Sequence, residues 1–491
     1  MQASDQRSDL MRPATTLIFM IFLALISQAP ARADLPDLNQ GSYGGMTLNS
    51  EYQLGRNFAR SLRRQAPLMR DPASSWYLEQ LVWQLAGHSQ LDDTRLEIIT
   101  LDNPQFNAFA VPGGIVGLNG GLLLSAHNEG ELASVVAHEL AHLSQRHFAA
   151  QMEQQRQSKP LMLAGMLAGI LLSSVSGDAA TATITSTMAA SSSAQLAFSR
   201  RNEREADRIG MQTLVNSGYN PHAMPKMFGR LLDNYRYASR PPEFLSTHPL
   251  SKNRIADSQG RAAQLAGNDS TPFKDPLLFG LVKARLTASY DSNPGRLAQT
   301  LASQQQAASG KQHRILGYAR YIAHVKAGQQ DQADQAWQQL NAKLKQHWLV
   351  QQSRAEQQMD AQQPGKAINT LKTQLALYPN SYPLQQRLAE ALHQSNQIKA
   401  SLKLYRKLAL KRPTDVHLHY QLAELYGLAG DKHGVHKART DYFMLVGNID
   451  KALRQIKFGR REKGLSPADT QQLDQLEREA KEIREQMKQT F

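Results

Sequence analysis

His138-Glu139-Leu140-Ala141-His142 carries the strongest chemical signal in the chain. Its two histidines stand four residues apart. On a helix that spacing puts both imidazoles on one face, able to hold one Zn2+ between them. Glu139 lies beside them, where a carboxylate can take a proton from a metal-held water. Leu132, Val135 and Val136 precede the motif in helical register, as a buried helix requires. Two solvated histidines on a surface helix would spell the same letters, but the apolar approach to the motif argues against that reading. Cysteine is absent. Thiolate zinc sites, disulfides and cysteine nucleophiles are therefore excluded, and a metal must be held by His, Asp or Glu.

Two histidines do not complete a zinc site. The metzincin spacing needs glycine at 145 and histidine at 148, where this chain has Gln145 and Phe148. His147 is one residue off that spacing and is expected to face away, as a residue behind the ligands or on the surface. The other solution is a glutamate on a later helix. Asn202-Glu203-Arg204-Glu205-Ala206-Asp207 supplies it. Glu203 and Asp207 share a face at i,i+4, with Glu205 off that face. Glu203 is the expected third ligand. Asp207 is the expected acceptor for a ligand histidine, fixing its tautomer. An exposed charged helix, with Arg200, Arg201, Arg204 and Arg208 paired to these acids, is the competing reading. The incomplete HExxH favours the ligand.

The elements that must position these groups follow from periodicity. Helices are predicted from Glu51 to about Arg64 and from about Ser74 to Gly87. Strands are predicted at Arg95 to Leu101, Asn107 to Val111 and Ile115 to Leu118. A long helix is predicted from Asn128-Glu129 past His147, and a charged one from about Phe198 to Ser217. Gly113 to Gly121 is glycine-rich but lacks a Lys-Ser/Thr ending, so it reads as turns and not as a phosphate loop. The apolar run Leu161 to Leu172 is too short to span a bilayer. It reads as a buried helix, a patch touching the outer membrane or, the favoured reading, a mobile cover over the cleft with a Ser/Thr/Ala-rich loop after it. The strand at Asn107 to Val111 is either internal to a sheet or an edge to which an extended substrate can add.

The second half is built differently. Pro379 and Pro413, Leu388-Ala389-Glu390 and Leu422-Ala423-Glu424, and Ala355-Glu356 and Ala389-Glu390 are each 34 residues apart. A 34-residue period with alanine at helix contacts and proline after the second helix resembles the tetratricopeptide repeat. Each helix pair needs neighbours to cover its apolar face, so about four units are expected from Lys311 to Gly459. The predicted fold is an α+β zinc metalloprotease domain over 34–270, mostly helical with a small sheet. Linking helices or a degenerate first repeat follow over 271–310, then an all-α repeat solenoid over 311–460 and a capping helix over 461–491.

Residues 1–33 read as a secretory signal, with Arg7 and Arg12, an apolar run from Ala14 to Ser27, and Ala31-Arg32-Ala33 before a cleavage point. Export to the periplasm, with cleavage after Ala33, is expected. The formal net charge is +14. Export removes nucleic acid as a partner for it. The segment 311–460 holds 23 Lys and Arg against 10 Asp and Glu, so nearly all the excess belongs to the repeats. Acidic protein surfaces or the anionic outer membrane are the expected complements.

HELAH, NEREAD and Ser246-Thr247-His248-Pro249 together resemble the gluzincin family of the CAAX-prenyl protease and the bacterial heat-shock membrane protease. This chain departs from those members in lacking a transmembrane bundle. Its signal peptide, protease domain and repeats resemble the periplasmic branch of that family. The resemblance implies one zinc ion per chain, and a metalloendopeptidase and chaperone-like factor. Unfolded or stalled outer-membrane β-barrel proteins would be its substrates. The β-barrel assembly machinery would be met through the repeats, with peripheral contact to the outer membrane. It also places His248 near the metal. There it would either steady the oxyanion or fill the fourth position and close the resting site. A periplasmic repeat scaffold with a latent or structural zinc site is the alternative, which the intact Glu139 disfavours.

Overall fold

The computed structural model describes residues 46–154, 200–235, 243–265 and 277–490. The expected signal segment, the apolar run 161–172 and the Ser/Thr/Ala-rich stretch lie outside the described residues. Helix α1 (Leu48–Gln65) starts where the Thr47 hydroxyl accepts from the Ser50 N–H, and it buries Leu54, Phe58 and Leu62. Asp71 caps α2 (Pro72–Ala86) in the same way through Ser74, with Pro72 in the first turn.

Three strands follow: β1 (Glu97–Leu101), β2 (Ala108–Val111) and β3 (Ile115–Asn119). Their order is β1-β3-β2, with β1 parallel and β2 antiparallel to β3. The β2–β3 turn uses Gly113 and Gly114 at φ 79° and 77°, a conformation that costs glycine nothing. β2 is therefore an edge. The Asn107 carbonyl accepts from the Asn119 N–H. By the two-residue alternation, the backbone groups of Ala108 and Ala110 then point away from β3.

After the short α3 (Gly120–Ser125), α4 (Glu129–Ser144) carries the HExxH motif. Asn128 caps it, and every residue from Glu131 to His142 is buried. It packs against α2, β2, α6 (Arg200–Asn216) and α7 (Ala223–Tyr235). The expected continuation past His147 is corrected. α4 stops at Ser144, Arg146 turns left-handed at φ 48°, and α5 (His147–Gln154) starts afresh. The break is anchored. The Arg146 guanidinium reaches back to Glu51 Oε1 at 2.7 Å and to the Met46 carbonyl at 2.7 Å. Helices α8 (Glu243–Thr247) and α9 (Lys252–Leu265) complete the surroundings of the site.

The rest is helical. After α10 (Leu278–Tyr290) and α11 (Pro294–Ala307) come four helix pairs. They are α12 (Gly310–Lys326) with α13 (Gln330–Gln339), then, beyond the one-turn α14 (Ala342–Lys345), α15 (Trp348–Asp360) with α16 (Pro364–Leu377). Next come α17 (Tyr382–Gln394) with α18 (Ile398–Lys411), and α19 (Val416–Leu428) with α20 (Lys432–Leu445). α21 (Ile449–Gly459) and α22 (Pro467–Thr490) end the chain. Small residues lie at the helix contacts, where Ala333, Ala367 and Ala389 are fully buried.

The repeats do not stand apart from the first half. One continuous apolar cluster runs from Ala73 and Tyr77 through Val135 and Val136 to Leu384 and Leu392. Trp76 meets Trp348 edge to face at 5.6 Å, a contact worth about 1 kcal/mol beyond its buried area. Arg412 pairs with Glu79. Arg285 joins Asp71 to Glu356. At the far end, α22 returns to α1, where Asn57 Nδ2 donates to the Gln486 carbonyl at 3.2 Å. The array thus closes back on the first helix. Among the described residues no helix is long and apolar enough to cross a membrane.

Candidate metal centre

Two helices and one loop bring the site together. α4 presents His138, Glu139 and His142, and α6 presents Glu203 and Asp207 one turn apart. The loop after α8 presents His248, its backbone N–H donating to the Phe244 carbonyl at 2.7 Å. All six residues are buried. α6 comes this close because residue 210 is glycine. A Cβ there would lie 3.0 Å from His138 Cα and the Ala137 carbonyl oxygen, a spacing that pushes the two helices apart.

The ligand atoms converge. His138 Nε2 and His142 Nε2 are 3.1 Å apart. Glu203 Oε1 is 3.4 Å from His142 Nε2, and Oε2 is 3.5 Å from His138 Nε2. His248 Nδ1 is 3.0 Å from Glu203 Oε1 and 3.4 Å from His138 Nε2. One atom from each of His138, His142, Glu203 and His248 lies within 4.8 Å of all the others. Tetrahedral zinc with ligands at 2.0–2.1 Å sets its ligand atoms about 3.4 Å apart. The observed separations bracket that value, so this donor set fits the ion. Glu139 stands outside the four. Its Oε1 is buried with no hydrogen-bond partner among the described residues, and His248 Nε2 is 3.4 Å away. The Ala110 N–H of β2 faces the same carboxylate.

Behind the ligands, Asp207 Oδ1 lies 3.1 Å from His138 Nδ1, within ion-pair reach but off the line of a well-aligned N–H···O bond. Arg254 of α9 holds Asp207 with two bonds, Nε to Oδ2 at 2.8 Å and Nη2 to Oδ1 at 2.7 Å. Its Nη1 is 2.7 Å from Glu203 Oε2 and donates to the Pro249 carbonyl at 2.8 Å. One guanidinium therefore braces both acids and the His248 loop. Sequence reasoning offered Arg200, Arg201, Arg204 and Arg208 as partners for this helix. Of these only Arg208 makes an ion pair among the described residues, with Glu205 at 3.8 Å. No local signal marks Arg254, whose partners are brought to it by tertiary packing. His147 was expected to face away, behind the ligands or on the surface. It is buried, with Nδ1 3.0 Å from His142 Nδ1 and Nε2 3.4 Å from Glu205 Oε2.

The charges divide clearly. Burial favours neutral His138, but Asp207 and Glu203 outweigh it and hold its pKa up at about 9. Burial drives His142 well below the usual histidine range. Glu203 is pulled well below the carboxylate range, because His248 and the two HExxH histidines outweigh its burial. Glu139 is pushed up by burial, only partly offset by His248 and His138. Glu203 and Asp207 thus favour positive charge at His138, which a divalent cation would supply in place of the proton, and a carboxyl with a raised pKa beside them suits a base.

Residues 72–262 match Peptidase family M48, and residues 358–429 match a tetratricopeptide repeat. Over 460 residues the chain is 34% identical to the β-barrel assembly-enhancing protease of Escherichia coli, covering 91% of this chain and 94% of that relative. The chain belongs to the β-barrel assembly-enhancing protease family. A member from Yersinia pestis is 30% identical over 91% of this chain and 93% of its own length. A mitochondrial metalloendopeptidase of Schizosaccharomyces pombe is 26% identical over 45% of this chain and 64% of its own length. As a β-barrel assembly-enhancing protease family member the chain is a metalloprotease, with the clustered ligands inside its peptidase segment and helical repeats after it.

Proposed function

We propose that this chain is a zinc endopeptidase and assembly factor, working in the periplasm on outer-membrane β-barrel proteins. The carrying observation is the convergence of His138, His142 and Glu203 at tetrahedral-zinc spacing with Glu139 beside them. The signal-like residues 1–33 support export, and the names of the relatives support the β-barrel substrates. When bound, zinc would supply a Lewis acid to polarise the scissile carbonyl and acidify water. His138, His142 and Glu203 would hold it, while Asp207, braced by Arg254, fixes the His138 ring. Glu139 takes a proton from water and returns it to the leaving amine. The outward backbone groups of Ala108 and the Ala110 carbonyl accept an extended substrate beside β2, while the Ala110 N–H is held by Glu139. An unfolded β-barrel segment suits that edge because its strands lack partners. The basic repeats, continuous with the protease core, would engage the assembly machinery.

Stripping the metal with a chelator should abolish cleavage of a casein-like substrate, and added Zn2+ should restore it. Cleavage that survives metal removal excludes the mechanism.

His248 belongs, on this reading, to the closed resting site. Its nitrogen sits among the ligand atoms, where it would fill the fourth position and keep water out. His248→Ala should therefore raise basal casein cleavage several-fold. A fall would instead assign His248 to the oxyanion, and no change would remove it from both roles.

A further inference from the structure

His147 and Glu205 have no part in the mechanism above, yet both lie against it. We propose that they are positioning residues, a two-member relay that fixes the tautomer and orientation of His142 as a zinc ligand. The proposal rests on the zinc reading of the site.

The argument is a proton count along one line of atoms. His142 points Nε2 at the cluster, 3.4 Å from Glu203 Oε1. To bind a cation there it must present a lone pair, so its proton sits on Nδ1. The atom facing that proton is His147 Nδ1, at 3.0 Å. Two protonated nitrogens cannot share this contact, so His147 Nδ1 accepts, and the His147 proton is on Nε2. That nitrogen faces Glu205 Oε2 at 3.4 Å. Every donor then meets an acceptor: His142 donates to His147, and His147 donates to a carboxylate.

The arrangement parallels that of His138, whose Nδ1 lies 3.1 Å from Asp207 Oδ1 with no residue between them. Each HExxH histidine thus has its own acid on α6. Asp207 lies on the Glu203 face, and Glu205 lies off it, reaching the other histidine through His147. The helix break makes this possible. On an unbroken helix residues 142 and 147 would sit about 140° apart around the axis. The left-handed Arg146, tied to Glu51, swings His147 back under His142.

The test is the zinc dissociation constant of the full chain, measured by competition with a chromogenic chelator, and not activity alone. One tight zinc per wild-type chain must come first. Its absence would sink the zinc reading itself, and the relay with it. Given tight binding by the wild type, His147→Ala should weaken zinc on the order of 10- to 100-fold. His147→Asn, whose Oδ1 replaces the accepting Nδ1, should recover most of that loss. The metal-free proteins should melt together, which separates orientation of a ligand from general packing. Glu205 is half-exposed, so Glu205→Ala leaves the core alone and should weaken zinc in the same direction by a smaller factor. It also carries the test if His147→Ala does not fold. Wild-type affinity in His147→Ala or Glu205→Ala, or an Asn variant no tighter than the Ala variant, overturns the relay.

Discussion

Glu139→Gln should lower kcat for peptide cleavage by on the order of 10²- to 10⁴-fold while leaving metal content unchanged. That is about 3–5 kcal/mol of transition-state stabilisation. Glutamine keeps the shape of the side chain and its polar tip but has no basic oxygen. Glu139 stands outside the set of four converging ligands, so the metal should stay. Burial raises its pKa, so the lost group is a carboxylate made readier to accept a proton. The measurements are zinc per chain and turnover of a casein-like substrate, made on the same preparation. Cleavage at the wild-type rate would reject Glu139 as the base. Loss of zinc together with activity would show that Glu139 helps to hold the metal. If the variant still aids β-barrel assembly in cells, binding by the repeats and cleavage by the zinc site are separable functions.

The largest stability effect should come from the ion cluster between the two halves. Arg285 binds Asp71 through Nη2 at 2.6 Å and Nε at 3.2 Å, and it reaches Glu356 and Ser353 through Nη1 at 2.9 and 2.7 Å. Arg387 adds Glu356 at 2.7 Å and Asp71 at 3.5 Å. Arg387 also pairs with Glu390, so two cations hold three anions. Arg285→Met keeps the apolar stem but leaves Asp71 and Glu356 only Arg387, which Glu390 already engages. Breaking a buried pair from one side costs about 3–5 kcal/mol. Asp71 retains 18% of its side-chain exposure, which points to the lower part of that range. A thermal midpoint within about one degree of wild type would contradict this. The acid dependence has a definite sign. Burial raises both carboxyls, but Arg285 and Arg387 overcome it and hold Asp71 and Glu356 below the usual range. A depressed folded pKa stabilises above the unfolded value and loses that stability as pH falls through the folded one. Wild type should therefore weaken below about pH 4, and Arg285→Met should show a shallower loss over the same window.

Much of the site was legible because its groups obey helix spacing. His138, Glu139 and His142 need only the i,i+4 rule, and the same rule picked Glu203 with Asp207 over Glu205. The edge position of Asn107 to Val111 was one of two readings, since alternation cannot say how many neighbours a strand has. Arg254 was not legible. It lies 47 residues from Asp207, and no short-range pattern links them. His147 was read as lying behind the ligands or on the surface, and it lies behind His142, but its direction was missed because the helix was carried through Gln145 and Arg146, which hold neither Gly nor Pro. The break there comes from the reach of Arg146 to Glu51 on α1, a tertiary cause. The 34-residue period predicted the helix pairs, but not that they share one core with the protease. Asp71 reads locally as a helix cap, and its second role depends on a residue 214 positions away.

The return of α22 to α1 has a consequence for the order of folding. Asn57 and Gln486 are 429 residues apart. Every residue of the metal site lies between 138 and 254. Closing a longer loop costs more chain entropy, and contacts between distant residues form late. The ligand cluster can assemble while the array is still incomplete, and the circle around it is completed only when the last helix arrives. A chain emerging N-terminus first should then have all its site residues before it has the last helix of its scaffold. His248 comes from that same early segment, so the chain should hold a candidate fourth donor before the array is complete.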